Sequence, residues 1–336
     1  FKAAVRLFIT AQEILVDNSS YPIREIAENS HIFRTLGLGY ANLGSLIMSY
    51  GLAYDSDDAR ALTGAITAVM TGEAYKQSAL MADQLGPFAG YKDARCVNVE
   101  EPLAKDNVGS MLGVVELHRV AVGDIRTSRK FNYIRQAAEH CWDEALDLGK
   151  QHGYRNAQVT VLAPTGTISF LMDSDTTGIE PDIALVKYKL LAGGGMLKIV
   201  NRTVGEALRN LGYAPEQLEH IIAHIEKHDT IEDVALNKGD EAVKQGLSQE
   251  GDIAKSGLKP EHLPVFDCAF KPARGKRSLH PLAHLKIMGA AQPFLFEGHA
   301  PGGTAGEYPV HLRHGQHRRP RDPARRGCRR PVPGDP

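Results

Sequence analysis

Residues 158–169 read QVTVLAPTGTIS and contain the pattern that decides the fold class. Residues 158–163 are rich in β-branched side chains and predict a buried strand. The Pro-Thr-Gly-Thr sequence after them predicts a turn, and the helical periodicity of residues 129–151 ends at Gly153, a residue typical of helix C-termini. The apolar run 36–40 predicts a second buried strand. Strands that alternate with helices indicate an α/β fold, either a barrel or a layered sheet.

The turn that follows the strand carries groups suited to phosphate binding. Pro164 restricts the backbone at the entry of the turn, and Gly166 lets a ligand approach the main chain closely. Thr165, Thr167 and Ser169 add hydroxyl groups beside several free amides. The alternative is an ordinary strand-to-helix turn whose hydroxyls cap the helix, and the local pattern alone favours that alternative.

Helical periodicity recurs along most of the chain. In the first helix, Ala4, Phe8, Ala11 and Leu15 recur at helical spacing and predict an amphipathic helix. The stretch 228–262 is rich in Gly, Glu and Lys and predicts an exposed excursion. The predicted helices are residues 2–17, 22–26, 43–51, 57–86, 129–151, 199–211, 215–227 and 281–291.

Composition places the chain among globular proteins. Its 336 residues include 43% hydrophobic and 24% charged residues, which excludes a disordered protein. The formal net charge of −1 argues against a dedicated nucleic-acid binder. The average conceals an asymmetry, because residues 296–336 contain eight Arg, no Lys and four acidic residues, a local charge of +4. We expect this Pro- and Gly-rich tail to be disordered and to arise from out-of-frame translation.

Four scattered cysteines, Cys96, Cys141, Cys268 and Cys328, fit a reducing compartment rather than a disulfide framework or a thiolate zinc site. The flanks of the first three predict inert core residues. No apolar run reaches the roughly 20 residues of a membrane span. The first residues also lack a signal-peptide pattern. These features predict a cytoplasmic protein without a membrane partner.

Several longer strings resemble the large-subunit family of the ribonucleotide reductases, most closely its adenosylcobalamin-dependent class. The resemblance extends in order over residues 1–295, and the strings are RTLGLGYANLG at 34–44, HGYRN at 152–156, VTVLAPTGTIS at 159–169, DTTGIEP at 175–181, ALVK at 184–187, LAGGG at 191–195, HLPVFDCAF at 262–270 and AAQPF at 290–294.

This resemblance implies a ten-stranded α/β barrel of two five-stranded halves, of which the chain is expected to be the later, incomplete part. It implies reduction of ribonucleoside di- or triphosphates to deoxyribonucleotides by thiyl-radical chemistry, with adenosylcobalamin as cofactor. It also implies a thioredoxin-type reductant and a homodimer of the intact enzyme. The residues that it assigns to the substrate phosphates are Pro164, Thr165, Gly166, Thr167 and Ile168.

The chain departs from the family pattern in its catalytic residues. The family's Asn-Pro-Cys-x-Glu segment, which supplies the radical cysteine, has no match here, and neither does the reducing cysteine pair. No residue is therefore predicted to be catalytic, and we expect the chain alone to be inactive. A non-catalytic remnant that binds nucleotides or another subunit remains an alternative. An unrelated phosphate-binding barrel enzyme is a third reading, which the ordered family strings disfavour.

Two further clusters have competing interpretations. The run 193–195 is three glycines that could approach a cofactor, although a flexible loop is the favoured interpretation. Four carboxylates near the turn could hold a metal ion, although capping or ion pairing with Lys187 and Arg202 is favoured. These carboxylates are Asp173, Asp175, Glu180 and Asp182. No metal site is predicted.

Overall fold

The structure is a computed structural model that describes residues 1–92, 107–126, 128–190, 193–232, 258–272 and 274–295. Cys96, Cys328, most of the predicted 228–262 excursion and the 296–336 tail lie outside the described residues. The chain divides into two compact units. The first unit comprises Phe1–Leu38, Ala65–Val161 and Gln292–Pro336, and the second comprises Gly39–Gly64 and Leu162–Ala291.

The described residues form mainly helices, with one pair of strands. No described helix is both long enough and apolar enough to cross a lipid bilayer. The elements are α1 Lys2–Asn18, α2 Arg24–Phe33, α3 Leu43–Ser49, α4 Asp57–Leu85, α5 Asn107–Ala121, α6 Asn132–His152, α7 Gly166–Leu171, β1 Val186–Leu190, β2 Met196–Val200, α8 Thr203–Asn210, α9 Pro215–His228 and α10 Pro281–Ala291.

Each predicted helix is observed, but two of them differ clearly in their bounds. The helix predicted over 22–26 instead spans Arg24–Phe33. The prediction of a helix over 199–211 is wrong at its start, because Met196–Val200 pairs antiparallel with Val186–Leu190 and the helix begins at Thr203. Backbone pairing in a hairpin overrides a weak helical periodicity here. Helix α5 was not predicted from the sequence. Gly153 ends α6 as expected, with a φ of +76°.

The two predicted strands pair with each other in the first unit, but only over a short length. Leu38 and Thr160 form a parallel bridge, and the N–H groups of Leu36, Leu38 and Val161 donate to carbonyl oxygens across the pair. Strand structure extends only where neighbouring strands supply partners. Among the described residues, β1 and β2 are the only regular strands, so most of the predicted α/β alternation is observed as helices joined by irregular segments.

Helix α1 buries a different face from the one that its spacing predicts. Val5, Ile9 and Val16 are buried, whereas Phe8 and Leu15 are more than half exposed. Leu7 and Ile14 lie beside the exposed pair and are also exposed, at 67% and 57%. The helix is thus apolar on two sides, and the described residues cover only one of them.

The buried face of α1 includes a carboxylate. Glu13 is 4% exposed and accepts hydrogen bonds from Arg34 Nε at 2.5 Å, Arg155 Nε at 2.7 Å and Asn156 Nδ2 at 2.6 Å. Arg34 also donates two 2.8 Å hydrogen bonds to Asp17, and these bonds lower the pKa of that carboxyl. A buried charge is tolerated when charged partners and hydrogen bonds replace its water. This network ties α1 to the segments that carry Arg34 and Asn156.

A second buried carboxylate in the first unit lies beside a cysteine. Glu73 is fully buried and pairs with Arg6 at 2.6 Å and Lys2 at 3.2 Å. The thiol of Cys141 donates to Glu73 at 3.3 Å, and burial raises the pKa of Cys141 to about 11. Cys141 therefore behaves as a structural thiol, as the sequence predicted.

The second unit packs α8 and α9 against the β1–β2 hairpin. An apolar cluster of this unit includes Leu208, Ile221 and Ile225, and Cys268 lies in the same cluster at 5% exposure. Burial raises the pKa of the Cys268 thiol strongly. The prediction that Cys268 is a core residue is confirmed.

Replacing Glu13 by Ala leaves the Arg34 and Arg155 guanidinium groups without their shared carboxylate. We expect the free energy of unfolding to fall by about 3–5 kcal/mol, the usual cost of breaking a buried ion pair. The matched control is Glu28→Ala, because Glu28 pairs with Arg24 on the surface. Glu28→Ala should lower the free energy of unfolding by less than about 1 kcal/mol. Urea unfolding measures both, and equal losses would contradict the central role of Glu13.

Alkylation should distinguish buried from reactive thiols. At pH 8 we expect the peptides that contain Cys141 and Cys268 to react slowly with iodoacetamide in the folded chain and rapidly in urea, because the thiolate is the reactive form. The rate at Cys141 should keep rising between pH 8 and pH 10, since its pKa is about 11. Mass spectrometry of the labelled peptides measures this, and complete labelling within minutes at pH 8 would contradict it.

Candidate functional site

The PTGT turn, residues 164–168, leads directly into α7 in the second unit. Thr165 adopts the left-handed conformation, with φ +55° and ψ +37°. The positive φ thus falls on Thr165, which requires stabilisation by its surroundings, and not on Gly166. An added Cβ at Gly166 would meet no atom within 4 Å, so the backbone at this residue is open. The backbone at Gly166 is therefore not covered by any described side chain.

The hydroxyl of Thr165 is committed to the turn itself. Thr165 Oγ1 accepts the N–H of Gly178 at 2.6 Å and lies 2.8 Å from Ser169 Oγ. Ser169 is 1% exposed and donates its N–H to the Thr165 carbonyl at 3.0 Å. Both hydroxyls therefore take part in internal hydrogen bonds. Their role here is to hold the turn in shape.

Thr167 presents the hydroxyl that remains available. Its side chain is exposed, and it forms no hydrogen bond with any other residue that the structure describes. The N–H groups of Gly166, Thr167 and Ile168 open α7 and have no acceptor within the helix. Pro164 and Ile168 are exposed on either side. The turn thus displays three consecutive amides and one hydroxyl, which are donors that oxygen atoms of an anion accept.

The neighbouring carboxylates form ion pairs and hydrogen bonds. Asp182 pairs with Lys187 Nζ at 2.7 Å, and Lys187 also donates to the Asp175 carbonyl at 2.8 Å. Asp173 lies 3.4 Å from Arg202. Burial raises the pKa of Asp182, although Lys187 lowers it. The predicted ion pairing is confirmed for Asp182 with Lys187 and for Asp173 with Arg202. The Asp175 carboxylate instead accepts the hydroxyl of Thr203 at 3.0 Å.

The fourth carboxylate lies apart from those pairs. Glu180 interacts with His284 Nδ1 at 2.5 Å. Within the ranges that the structure describes, no group of three or more His, Cys, Asp or Glu side chains could hold a metal ion.

The three glycines at 193–195 belong to the connection between β1 and β2. Gly194 and Gly195 have φ values of +80° and +105°, which favour glycine in a turn. An added Cβ at any of the three would meet no atom within 4 Å. Their conformational freedom thus serves the hairpin connection.

Three residues that hold the turn were not assigned a role from the sequence. Gly178 donates to Thr165, Thr176 is 3% exposed behind the turn, and Asn42 Oδ1 accepts both the N–H and the hydroxyl of Thr176, at 3.0 and 3.2 Å. All three lie in the strings that resemble the reductase family. That position was the available signal, but the contact between Asn42 and Thr176 joins segments 134 residues apart.

Comparison with known proteins identifies close relatives. A family model described as "Ribonucleotide reductase, barrel domain" matches residues 1–300. Three relatives are each named "Vitamin B12-dependent ribonucleotide reductase", and each aligns with 88% of this chain. The protein from Rhodopirellula baltica is 50% identical, that from Streptantibioticus cattleyicolor 43% and that from Streptomyces avermitilis 44%.

The chain spans only part of these relatives, namely 25%, 43% and 27% of their lengths in the same order. The match nevertheless includes the PTGT turn and the residues that hold it, because it extends over residues 1–300. The sequence resemblance and the family match agree, and the chain belongs to the ribonucleotide reductase barrel-domain family.

Proposed function

We propose that this chain is the substrate-phosphate-binding part of a vitamin B12-dependent ribonucleotide reductase, which reduces ribonucleotides to deoxyribonucleotides by thiyl-radical chemistry. The exposed PTGT turn carries the proposal, because its open amides and free hydroxyl suit a phosphate group. The names and identities of the relatives support the reaction class. A ribonucleoside di- or triphosphate is the proposed substrate.

Within the turn, the residues have different proposed roles. The amides of Gly166, Thr167 and Ile168 and the hydroxyl of Thr167 donate to phosphate oxygens. Pro164 restricts the entry of the backbone, and Thr165 contributes through its conformation, since its hydroxyl already bonds Gly178. Hydrogen bonds to a charged acceptor are roughly twice as strong as neutral ones, so four donors suffice to orient the substrate.

Adenosylcobalamin is the cofactor proposed for the intact enzyme, on the strength of the relatives' names. When bound, it supplies the radical that starts the reaction. The glycines at 193–195 are accounted for by the hairpin connection between β1 and β2. No described residue of this chain is therefore assigned to the cofactor. A thioredoxin-type reductant, a homodimer of the intact enzyme and a cytoplasmic location are predicted from the family.

An incomplete ten-stranded barrel is the proposed architecture. Phe8 and Leu15 on α1 and Phe170 and Leu171 in α7 are large apolar side chains with more than half of their surface exposed. Such surfaces are usually covered by another part of the protein. The relatives are more than twice as long as the matched region, which gives them the length to supply the remaining barrel.

A second candidate is a nucleotide-binding module without catalytic activity. It is favoured by the sequence, in which no Asn-Pro-Cys segment occurs, and by the burial of Cys141 and Cys268. Both candidates require phosphate binding at the PTGT turn. They differ only in whether the chain takes part in turnover when the rest of a reductase is present.

Substitution of Thr167 tests the binding site. Thr167→Ala removes the free hydroxyl, and we expect the affinity for a ribonucleoside triphosphate to fall about tenfold, the equivalent of one hydrogen bond to a charged group. Ser20→Ala is the control, because Ser20 is an exposed hydroxyl of the first unit, outside the turn. Isothermal titration measures both. Equal affinities for wild type and Thr167→Ala would contradict the assignment.

Turnover by the chain alone is not expected, because it has no matches to the radical cysteine and the reducing pair. Incubation with adenosylcobalamin, a dithiol and a ribonucleoside triphosphate should yield no deoxyribonucleotide by chromatography. A full-length relative serves as the positive control. Formation of deoxyribonucleotide by this chain, at a rate above the protein-free reaction, would overturn the prediction.

A further inference from the structure

The PTGT turn is held in place by the segment 174–180. Gly178 donates its N–H to Thr165 Oγ1 at 2.6 Å, and Ser174 donates its N–H to the Ser169 carbonyl at 2.9 Å. Gly178 has a φ of +48°, and an added Cβ would lie 2.9 Å from the Ala163 carbonyl oxygen. This segment therefore fits closely against the base of the turn.

The 174–180 segment is held in turn by the start of α3. The N–H of Leu43 donates to the Gly178 carbonyl at 3.2 Å. Asn42 Oδ1 accepts the N–H and hydroxyl of Thr176, while Thr176 Oγ1 accepts the N–H of Ser45 at 3.2 Å. At Gly44, an added Cβ would overlap the Glu180 carbonyl oxygen. Backbone and side chains of the two segments thus interlock over several residues.

The conformation of Asn42 differs from that of an ordinary N-cap. An N-cap Asn usually has an extended backbone and accepts an N–H from its own helix. Asn42 instead is left-handed, with φ +67°, and makes no cap hydrogen bond to α3. Thr176 supplies an acceptor for Ser45, and the Asn42 side chain is used to bind Thr176. Because the Asn42 side chain bonds Thr176 and not its own helix, the placement of the 174–180 segment depends on Asn42.

We infer that Asn42 is a positioning residue for the PTGT turn, acting through Thr176 and Gly178 on Thr165. This inference rests on the proposed function for its consequence on phosphate binding, although the geometric coupling stands by itself. Loss of the Asn42 acceptor releases Thr176, loosens the Gly178–Thr165 hydrogen bond and lets the left-handed Thr165 relax. The amides of the turn then no longer point in one direction.

Two variants of Asn42 test its side-chain acceptor separately from its left-handed backbone conformation. Asn42→Gly keeps the left-handed backbone accessible but removes the acceptor, whereas Asn42→Asp keeps oxygen acceptors for Thr176. Asn18→Gly is the control, because Asn18 is exposed at the end of α1 and bonds only its own helix among the described residues. Hydrogen exchange by mass spectrometry reports on the peptides of residues 162–180, which contain the N–H groups of Ser169 and Gly178 that bond Thr165. Titration with inorganic tripolyphosphate and a ribonucleoside triphosphate reports on binding.

In Asn42→Gly, we expect exchange in the turn, measured at the N–H groups of Ser169 and Gly178 that bond Thr165, to accelerate about tenfold. We expect tripolyphosphate affinity to fall three- to tenfold. Asn42→Asp should restore the slow exchange, and Asn18→Gly should change neither readout. Unchanged exchange in the turn of Asn42→Gly would overturn the inference. Acceleration spread evenly over the second unit would also overturn it, because it would indicate general destabilisation.

The same experiment separates the inference from the proposed function. If wild type binds neither ligand while Asn42→Gly still accelerates exchange only in the turn, the positioning role holds and the phosphate site is wrong. If wild type binds, Thr167→Ala weakens binding and Asn42→Gly does not affect the turn, the phosphate site holds and the positioning role is wrong.

Discussion

The hydrogen bond from the Gly178 N–H to the Thr165 hydroxyl is the interaction on which the candidate site depends. Thr165 has a positive φ, which a β-branched residue adopts at an energetic cost and keeps only when its surroundings stabilise it. Gly178 can approach because it lacks a side chain, in a place where the Ala163 carbonyl leaves no room for a Cβ. The exposed amides of the turn owe their orientation to this half-buried contact.

Because of that contact, two threonines of the turn have different roles. Thr165 and Thr167 are chemically identical and two residues apart, yet one hydroxyl is used within the protein and the other faces solvent. A half-buried hydroxyl with two internal partners stabilises geometry, while an exposed one is free to bind. In the first unit, the Glu13 carboxylate is likewise used within the protein, where it pairs with Arg34 and Arg155. Both sites use polar groups to fix backbone positions.

The sequence predicted the helices well, because apolar periodicity and Gly or Pro boundaries act locally. It also located the PTGT turn and the ion pairs of Lys187 and Arg202. It failed on β2 and on the exposed face of α1. Whether a face is buried depends on what packs against it. A five-residue segment such as Met196–Val200 forms a strand only when a partner strand is near.

The sequence by itself thus determined the family, the position of the PTGT turn and the residue types available there. Only the tertiary structure decided which hydroxyl is free and which residues hold the turn. Thr165 is 13 residues from Gly178, and Asn42 is 134 residues from Thr176, so no local pattern encodes either contact. Hydrogen-bond partners are chosen by proximity and direction in space, and folding alone brings these donors and acceptors within 3.2 Å.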